Sequence, residues 1–244
     1  MNRRVRSQIL AAFFVTVALL VASASAARAE GMRKCAETVA SDAARLVQDR
    51  YDGIQDLVAD FQQESRSASF ADEPLMAEAR KRGEVIFAKP GRMRWTYSAP
   101  DPSLLVSDGH TLWIYDVTER MATRLPVMDG YLTGAALEFL LGNGRLVEQF
   151  DVVMTSCSSE EIGLDLLPRA DASFERLGLA FRPESGELLQ TSATDLFGNR
   201  TLIHFTNTRV NQAPLPSTFE FDPPEGVEVI DLGNPSQHQG PLGD

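Results

Sequence analysis

The region from Gly83 to Leu125 constrains the fold most, because apolar and aromatic residues recur in it at every second position between turn signals. Pro90-Gly91 separates the first two alternating runs, and Asp108-Gly109 is typical of a tight β-hairpin turn. The residues that share a face within a run are Val85, Phe87 and Lys89, then Met93, Trp95 and Tyr97, then Trp113 and Tyr115. This spacing predicts a four-stranded antiparallel meander.

The run from Leu112 to Asp116 is apolar on both faces, since Leu112 and Ile114 alternate with two aromatic residues. A strand of this kind needs cover on both faces. The rings expected to line one concave face of the sheet are those of Trp95, Tyr97, Trp113 and Tyr115. The residues alone allow two interpretations of these rings, an ordinary packed core and a binding surface.

The two ends of the chain differ from the rest. Three arginines precede an apolar run from Ile9 to Ala22, and Ala27-Arg28-Ala29 supplies a small-residue cleavage site, so residues 1–29 are predicted to be a secretory signal peptide. Residues 233–244 are polar and contain Pro and Gly, which predicts a disordered tail. A single domain is expected between them, over residues 30–232.

The charge balance excludes some partners. Residues 1–29 carry four Arg and no acid, so their removal changes the formal net charge from −11 to −15. Such a chain is repelled by nucleic acid and by anionic bilayers, so binding to either by charge alone is excluded.

Two cysteines, Cys35 and Cys157, remain in the exported chain. An oxidising compartment favours a disulfide between them, which would close a long loop and stabilise the fold by roughly 4–5 kcal/mol at most. The alternative is two separate buried thiols that act as small apolar groups.

Helices and further strands complete the predicted architecture. Helical spacing runs from Cys35 to Ile54 with Gly53 as a stop, and a short apolar helix is expected from Thr133 to Leu141. Strands are expected at 57–62, 150–155, 162–167, 173–181, 188–194, 201–205 and 218–221, and a mobile loop from Ser65 to Glu73. So many antiparallel strands with two helices predict a mainly β fold, a curled antiparallel sheet that forms an incomplete barrel over helices.

Catalytic chemistry finds little support in the sequence. The three histidines, His110, His204 and His238, have no second ligand at metal spacing, and neither a nucleophile elbow nor a phosphate-binding glycine loop is present. We therefore expect neither an enzyme nor a metal protein.

Four segments together resemble a known family. They are Lys89–Tyr97, Ser107–Asp116, Asp195–Thr201 and Phe219–Val227. In order and spacing they resemble the LolA-type periplasmic lipoprotein carriers, and the resemblance spans Ala36 to Asp231.

This resemblance implies a half-barrel with a helical lid that holds lipoprotein acyl chains in an apolar cavity, without a cofactor. Cargo would come from an inner-membrane ABC transporter and pass to a receptor lipoprotein at the outer membrane, with the carrier acting in the periplasm as a monomer. The residues expected to contact acyl chains are Phe61, Phe87, Met93, Trp95, Tyr97, Trp113, Tyr115, Leu137 and Leu140.

The basic segment from Arg80 to Arg94 supplies the remaining expected site residues. Many relatives place an Arg where this chain has Lys89, and the resemblance implies that Lys89 contacts the lid, with weaker bonds than a planar guanidinium would form. Arg92 and Arg94 would dock an acidic partner as part of a positive rim. The alternative is a solvated strand face that balances nearby acids.

The function expected from the sequence is therefore a periplasmic carrier that shields lipoprotein acyl chains between the two membranes. A lipid or glycolipid carrier is the nearest variant. A sensor of lipids or lipoproteins that uses the same half-barrel is the alternative from another class.

Overall fold

The computed structural model of this protein describes residues 39–70, 80–127 and 145–233. The helices of the described residues are α1 (Ala40–Asp52) and α2 (Leu146–Gln149), with short 3-10 turns at Ala68–Phe70 and Pro216–Phe219. The strands are β1 (Asp56–Arg66), β2 (Lys81–Ala88), β3 (Arg92–Ala99), β4 (Ser103–Asp108), β5 (Thr111–Asp116), β6 (Met121–Pro126), β7 (Phe150–Cys157), β8 (Ile162–Pro168), β9 (Phe174–Phe181), β10 (Leu188–Asp195), β11 (Arg200–Val210) and β12 (Glu228–Asp231).

All twelve strands belong to one sheet. Its order is β12-β6-β5-β4-β3-β2-β1-β11-β10-β9-β8-β7, so that β1 joins two antiparallel meanders through its pairing with β11. The short β12 runs parallel to β6, whereas the other pairs are antiparallel. The sheet curls without closing, which confirms the predicted mainly β fold with an incomplete barrel.

Helix α1 covers the concave, inner face of this sheet. Its buried side is narrow because Ala43 and Ala44 let the backbone approach the strands closely, while Val47 and Tyr51 are the larger buried groups. Gly53 ends the helix as predicted.

The main core lies between α1 and the inner face, and both halves of the sheet contribute to it. Phe61 on β1 is buried at its centre, with Leu164 and Leu177 on one side and Val85 and Met93 on the other. One continuous apolar core therefore joins the two meanders.

A second layer covers the outer face of β3–β6. We call residues 211–233 the C-terminal strap. The buried carboxylate of Asp56 accepts hydrogen bonds from the backbone N–H groups of Gln212 (2.6 Å) and Ala213 (3.0 Å) at the beginning of the strap. Further along, Phe219 is buried and β12 adds to the sheet beside β6.

Several predictions of elements need correction. The meander contains five strands, because Met121–Pro126 follows the four predicted ones. The predicted strand at 218–221 is wrong: the chain makes a 3-10 turn there, since Pro214, Pro216 and the Pro223-Pro224 pair lack the N–H donors of a ladder strand. Neither α2 nor β12 was predicted, and β1 continues to Arg66, into the expected loop.

Some predictions concern residues outside the described part of the chain. They are the signal peptide, the helix at 133–141 and the tail from 234 onward, as well as most of the loop at 65–73. Among the described helices, none has the length and apolar composition needed to cross a membrane.

Candidate functional site

A cluster of aromatic rings lies at the centre of the inner face. Phe61 meets Trp95 edge-on at 4.7 Å between ring centroids and Tyr97 at 5.0 Å, and Phe87 meets Trp95 at 5.7 Å. Gly83 lies between Phe61 and Tyr97 in the ladders, and the absence of a side chain there leaves room for the two rings to meet. The predicted inner positions Phe61, Phe87, Met93 and Trp95 are all buried.

An accessible apolar strip continues from this buried cluster across β3, β4 and β5. We call Tyr97, Leu105 and Ile114 the inner strip. Tyr97 and Leu105 are half-buried and pack against the core, while Ile114 is 39% exposed. Leu105 pairs with both Trp95 and Ile114, so the strip lies on the same face as the sealed rings.

Tyr97 is the polar member of the inner strip. Its hydroxyl donates a 2.9 Å hydrogen bond to Oε1 of Gln63, and burial raises the pKa of Tyr97 to about 12. The phenol therefore stays neutral at physiological pH, and the surface that it shares with Leu105 carries no charge.

Trp113 and Tyr115 do not share the face of Trp95 and Tyr97, which corrects the prediction. They lie on the outer face, where both pack against Phe221 of the C-terminal strap at centroid distances of 5.6 and 5.4 Å. The reason is the register: Trp95 pairs with Leu105, and Leu105 pairs with Ile114, so the aromatic residues of β5 point the other way.

The sequence reasoning thus missed Leu105, Leu112 and Ile114 as inner-face residues. The hairpin between β4 and β5 has a two-residue loop, so an odd-numbered position on β4 faces an even-numbered one on β5. The Asp108-Gly109 turn signal is enough to predict this pairing. The prediction for Trp113 and Tyr115 rests on their residue type and not on the pairing of the strands.

Lys89 connects the sheet to the covering helix. Its Nζ donates hydrogen bonds to the backbone carbonyls of Tyr51 (2.6 Å) and Asp52 (3.3 Å), at the C-terminal end of α1. These are carbonyls that a helix leaves without internal partners, and the negative end of the helix dipole favours a cation there.

Two further polar contacts hold α1. The buried Gln48 accepts a hydrogen bond from the N–H of Leu146 (3.0 Å), which ties α1 to α2. The hydroxyl of Tyr51 accepts one from the N–H of Leu188 (3.2 Å), and burial raises the pKa of Tyr51.

Small cavities remain beneath the helix. One of about 10 Å³ lies between Tyr51, Phe87 and Lys89, and a second of about 10 Å³ lies between Tyr51, Leu188 and Phe205. Each is about the size of one water molecule.

The predicted contact between Lys89 and the helix at 133–141 stays a prediction, because that segment, including Leu137 and Leu140, lies outside the described residues. What the structure adds is a second partner for Lys89, the end of α1.

Arg92 and Arg94 lie on the outer face and bind the C-terminal strap. The guanidinium of Arg92 stacks on the ring of Phe219 at 5.1 Å, and Nη1 of Arg94 donates to the carbonyl of Thr218 (3.1 Å). Both arginines therefore stabilise the strap, and their docking role stays a prediction.

The basic segment does not form one rim, contrary to the prediction. Arg80–Arg82 lie at the beginning of β2, and Lys89 follows its end, so roughly 23 Å of extended strand separates them. Because β3 returns antiparallel, Arg92 and Arg94 lie at the Lys89 end.

Cys157 ends β7 and is disulfide-bonded. The sequence contains one other cysteine, Cys35, which lies outside the described residues, so the pairing of these two stays a prediction.

Comparison with known proteins agrees with this architecture. The sequence model of the family described as outer membrane lipoprotein carrier protein LolA matches residues 52–222. The chain belongs to the LolA family.

The relatives in the LolA family match most of the chain. The outer-membrane lipoprotein carrier protein of Cupriavidus taiwanensis is 30% identical over 87% of this chain and 97% of its own length. That of Cupriavidus pinatubonensis is 31% identical over 73% of this chain and 82% of its own length. Among solved structures, the LolA superfamily protein NE2245 of Nitrosomonas europaea has a TM-score of 0.39 at 12% identity, covering 73% of this chain and 97% of that one.

Among the residues that the structure describes, no group of three or more His, Cys, Asp and Glu side chains is placed to hold a metal ion.

Proposed function

We propose that this LolA-family chain is a periplasmic carrier that shields the acyl chains of lipoproteins and ferries them from the inner to the outer membrane. The single observation that carries the proposal is the inner strip, an accessible apolar surface continuous with a large aromatic cluster. The names of its relatives, outer-membrane lipoprotein carrier proteins, support the same cargo.

The energetics suit such a carrier. An acyl chain of about 14 methylenes costs roughly 11 kcal/mol to expose to water, at ~0.8 kcal/mol for each methylene. An apolar face removes that cost without forming a covalent or ionic bond, so the cargo is released when another apolar surface competes for it.

Binding requires the cover to move. Drug-sized ligands occupy cavities of about 300–1,000 Å³, whereas the cavities beneath α1 are each about 10 Å³. We propose that α1 withdraws from the inner face around Gly53, breaking the Lys89 hydrogen bonds, and that the acyl chain enters along the inner strip.

Membership of the LolA family supports a proposal for the partners and the route. We propose an inner-membrane ABC transporter as the source of cargo and a receptor lipoprotein at the outer membrane as the acceptor. Neither step asks for catalysis by this chain, because transfer needs an acceptor that holds the acyl chains better.

The adjacent leucines of β4 provide a matched test. Leu105 lies in the inner strip, whereas Leu104 pairs with Tyr115 and lies on the outer face; both are half-buried. We expect Leu105→Asn to weaken binding of a fluorescent fatty acid about tenfold or more, because the amide replaces apolar contact surface with a polar group that is costly to remove from water. Leu104→Asn is expected to leave binding within about twofold.

Mass spectrometry of the protein isolated gently from the periplasm provides the second arm. We expect the wild type to co-purify with acylated lipoproteins and Leu105→Asn to lose them. Equal binding by the two variants, or recovery of no acylated species with the wild type, contradicts the proposal.

A further inference from the structure

The turn between β10 and β11 exposes two adjacent large apolar side chains. We call Leu196 and Phe197 the apolar tip. Leu196 is 66% exposed and Phe197 is 84% exposed, the highest value for any large apolar side chain among the described residues. Neither belongs to the core, so the fold gains little from their apolar character.

The apolar tip is held in a defined shape. Oδ1 of Asp195 accepts hydrogen bonds from the N–H groups of Phe197 (2.9 Å) and Asn199 (2.9 Å), and the Asn199 amide donates to Oδ2 (2.8 Å). Gly198 supplies the positive φ of +83° that closes the turn. Asn199 also accepts a bond from the N–H of Ala68 (3.1 Å), which ties the turn to the end of β1.

The order of this turn has a consequence for binding. A segment that is already ordered loses little conformational entropy when it enters a partner. The carboxylate of Asp195 accepts its hydrogen bonds from within the turn, and the bond from the Asn199 amide lowers the pKa of Asp195. Its negative charge is therefore stabilised by groups of the turn.

Directly below the apolar tip, two arginines face each other. Arg66 on β1 pairs with Arg200 on β11, and both side chains are exposed. Like charges directly opposite each other in a sheet are unfavourable. Among the described residues, neither forms an ion pair with a carboxylate. This arrangement costs stability, and an anion bound between the two guanidinium groups would offset that cost.

More basic residues lie at the same end of the sheet. Lys81 on β2 pairs with Gln63 on β1, and Arg82 pairs with Gln62. Both cations therefore lie within a few residues of Arg66 along β1. Among the described residues at this end, Arg66, Lys81, Arg82 and Arg200 outnumber the acids Glu64 and Asp195, although the whole chain has a net charge of −11.

We propose that this end of the molecule docks on an anionic lipid surface. Leu196 and Phe197 enter the interface between headgroups and acyl chains, and Arg66 and Arg200 bind phosphate groups from their position behind the tip. A projecting apolar pair with cations set behind it matches the depth profile of a membrane surface, with apolar chains below and anionic phosphates above. The remaining acidic surface is repelled, so docking has one orientation.

This proposal is independent of the carrier role. The inner strip lies on the concave face of β3–β5, whereas Arg66 and Arg200 lie on the outer face at the end of β1 and β11. Loss of fatty-acid binding and loss of vesicle binding are therefore separate outcomes.

Vesicle flotation tests the proposal with exported protein whose N-terminus has been checked by intact mass, since the apolar run at residues 9–22 would itself bind lipid. We expect the wild type to float with vesicles that mix phosphatidylglycerol and phosphatidylcholine, and much less with phosphatidylcholine alone. Leu196→Ser/Phe197→Ser should reduce the partition coefficient about tenfold or more. Arg66→Gln/Arg200→Gln should reduce it about fivefold per arginine at low salt and less at high salt.

Leu215→Ser is the matched control, since Leu215 is 71% exposed but lies in the C-terminal strap. Its partition coefficient is expected to match the wild type. The proposal fails if the wild type does not float with anionic vesicles, or if the tip variant and the control behave alike.

A second measurement reports the depth of the tip. Phe197→Trp keeps an aromatic ring at the most exposed position, and brominated lipids quench tryptophan only at close range. We expect quenching beyond that of the wild type, in which Trp95 is buried. Equal quenching of the variant and the wild type contradicts insertion.

Discussion

The two faces of the β2–β6 meander are covered in different ways. On the inner face, apolar side chains such as Phe87 and Trp95 share one core with the buried side of α1, and Lys89 hydrogen-bonds the carbonyls at the end of that helix. On the outer face, the C-terminal strap joins the sheet through β12 and through Arg124, which pairs with Asp231 at 3.0 Å. Lys89 holds α1, the inner cover, at the end of the helix. The C-terminal strap, the outer cover, is part of the sheet through β12.

We propose from this difference that the strap is a permanent layer of the sheet and that α1 is a removable one. Strand pairing and contacts from Arg92, Arg94 and Arg124 fix the strap along its length, so opening it breaks many bonds together. Withdrawal of α1 breaks few polar bonds. An acyl chain that takes the place of the helix restores apolar contact with the inner face. The comparison therefore predicts unequal responses to matched substitutions on the two faces.

The largest expected effect distinguishes the two tryptophans. Trp95 is 4% exposed within the inner ring cluster, whereas Trp113 is half-buried on the outer face. We expect Trp95→Ala to lower the free energy of unfolding by about 3–5 kcal/mol and Trp113→Ala by roughly half as much or less. Urea denaturation measures both, and equal losses would contradict the assignment of the two rings to different faces.

The next effect concerns the anchor of the strap. Asp56→Ala leaves the backbone N–H groups of Gln212 and Ala213 without their carboxylate acceptor, so we expect the free energy of unfolding to fall by about 2–3 kcal/mol. Hydrogen exchange should accelerate at residues 212–219 and remain unchanged in α1. Asp56→Asn keeps one acceptor oxygen and serves as the intermediate control. If Asp56→Ala accelerates hydrogen exchange equally in α1 and in the strap, Asp56 is not a separate anchor of the strap.

The sequence predicted the class of fold because its evidence is local. Period-two alternation around Trp95, the Asp108-Gly109 turn and the helical spacing before Gly53 each depend on neighbouring residues, and each was confirmed in outline. The face of β5 was predicted wrongly, although the two-residue hairpin loop fixes the parity that puts Ile114 inside.

Other features could not be predicted because they depend on distant pairing. β12 is four residues long and exists through its parallel contact with β6, more than a hundred residues earlier in the chain. The basic segment looked continuous in sequence, but the β2–β3 hairpin divides it between two ends of the sheet. The pairing of Arg66 with Arg200 likewise depends on the register of β1 and β11, which the sequence does not give.

Alkaline pH tests the inner strip. Burial raises the pKa of Tyr97 to about 12, above the ordinary value of 10.0. The folded state therefore retains the proton to higher pH than the unfolded chain, so the stabilisation is fully present below pH ~10 and is lost as pH rises toward ~12. We expect a loss of about 2 kcal/mol across this window, discounted for partial exposure.

Tyr97→Phe isolates this contribution, because it removes the titrating group and keeps the ring. Its stability should decline less than that of the wild type between pH 10 and 12, as measured by urea denaturation at each pH. Parallel curves for the two proteins would show that the Tyr97 hydroxyl is solvated and that burial does not raise its pKa.

The smallest expected effect concerns the attachment of α1. Lys89→Met keeps the length of the side chain but removes the donor to the carbonyls of Tyr51 and Asp52, so we expect a loss of about 1 kcal/mol. Because these bonds lie at the end of α1, exchange should accelerate in that helix and stay unchanged in the strap, the reverse of the Asp56→Ala pattern. Lys81→Met, at the far end of β2, is the matched control and should change neither cover. If α1 is the removable cover, Lys89→Met should also speed the uptake of a fluorescent fatty acid, since withdrawal of the helix then breaks fewer bonds. Unchanged uptake with accelerated exchange would show that α1 loosens without admitting the ligand, and entry would then have to be sought elsewhere on the inner face.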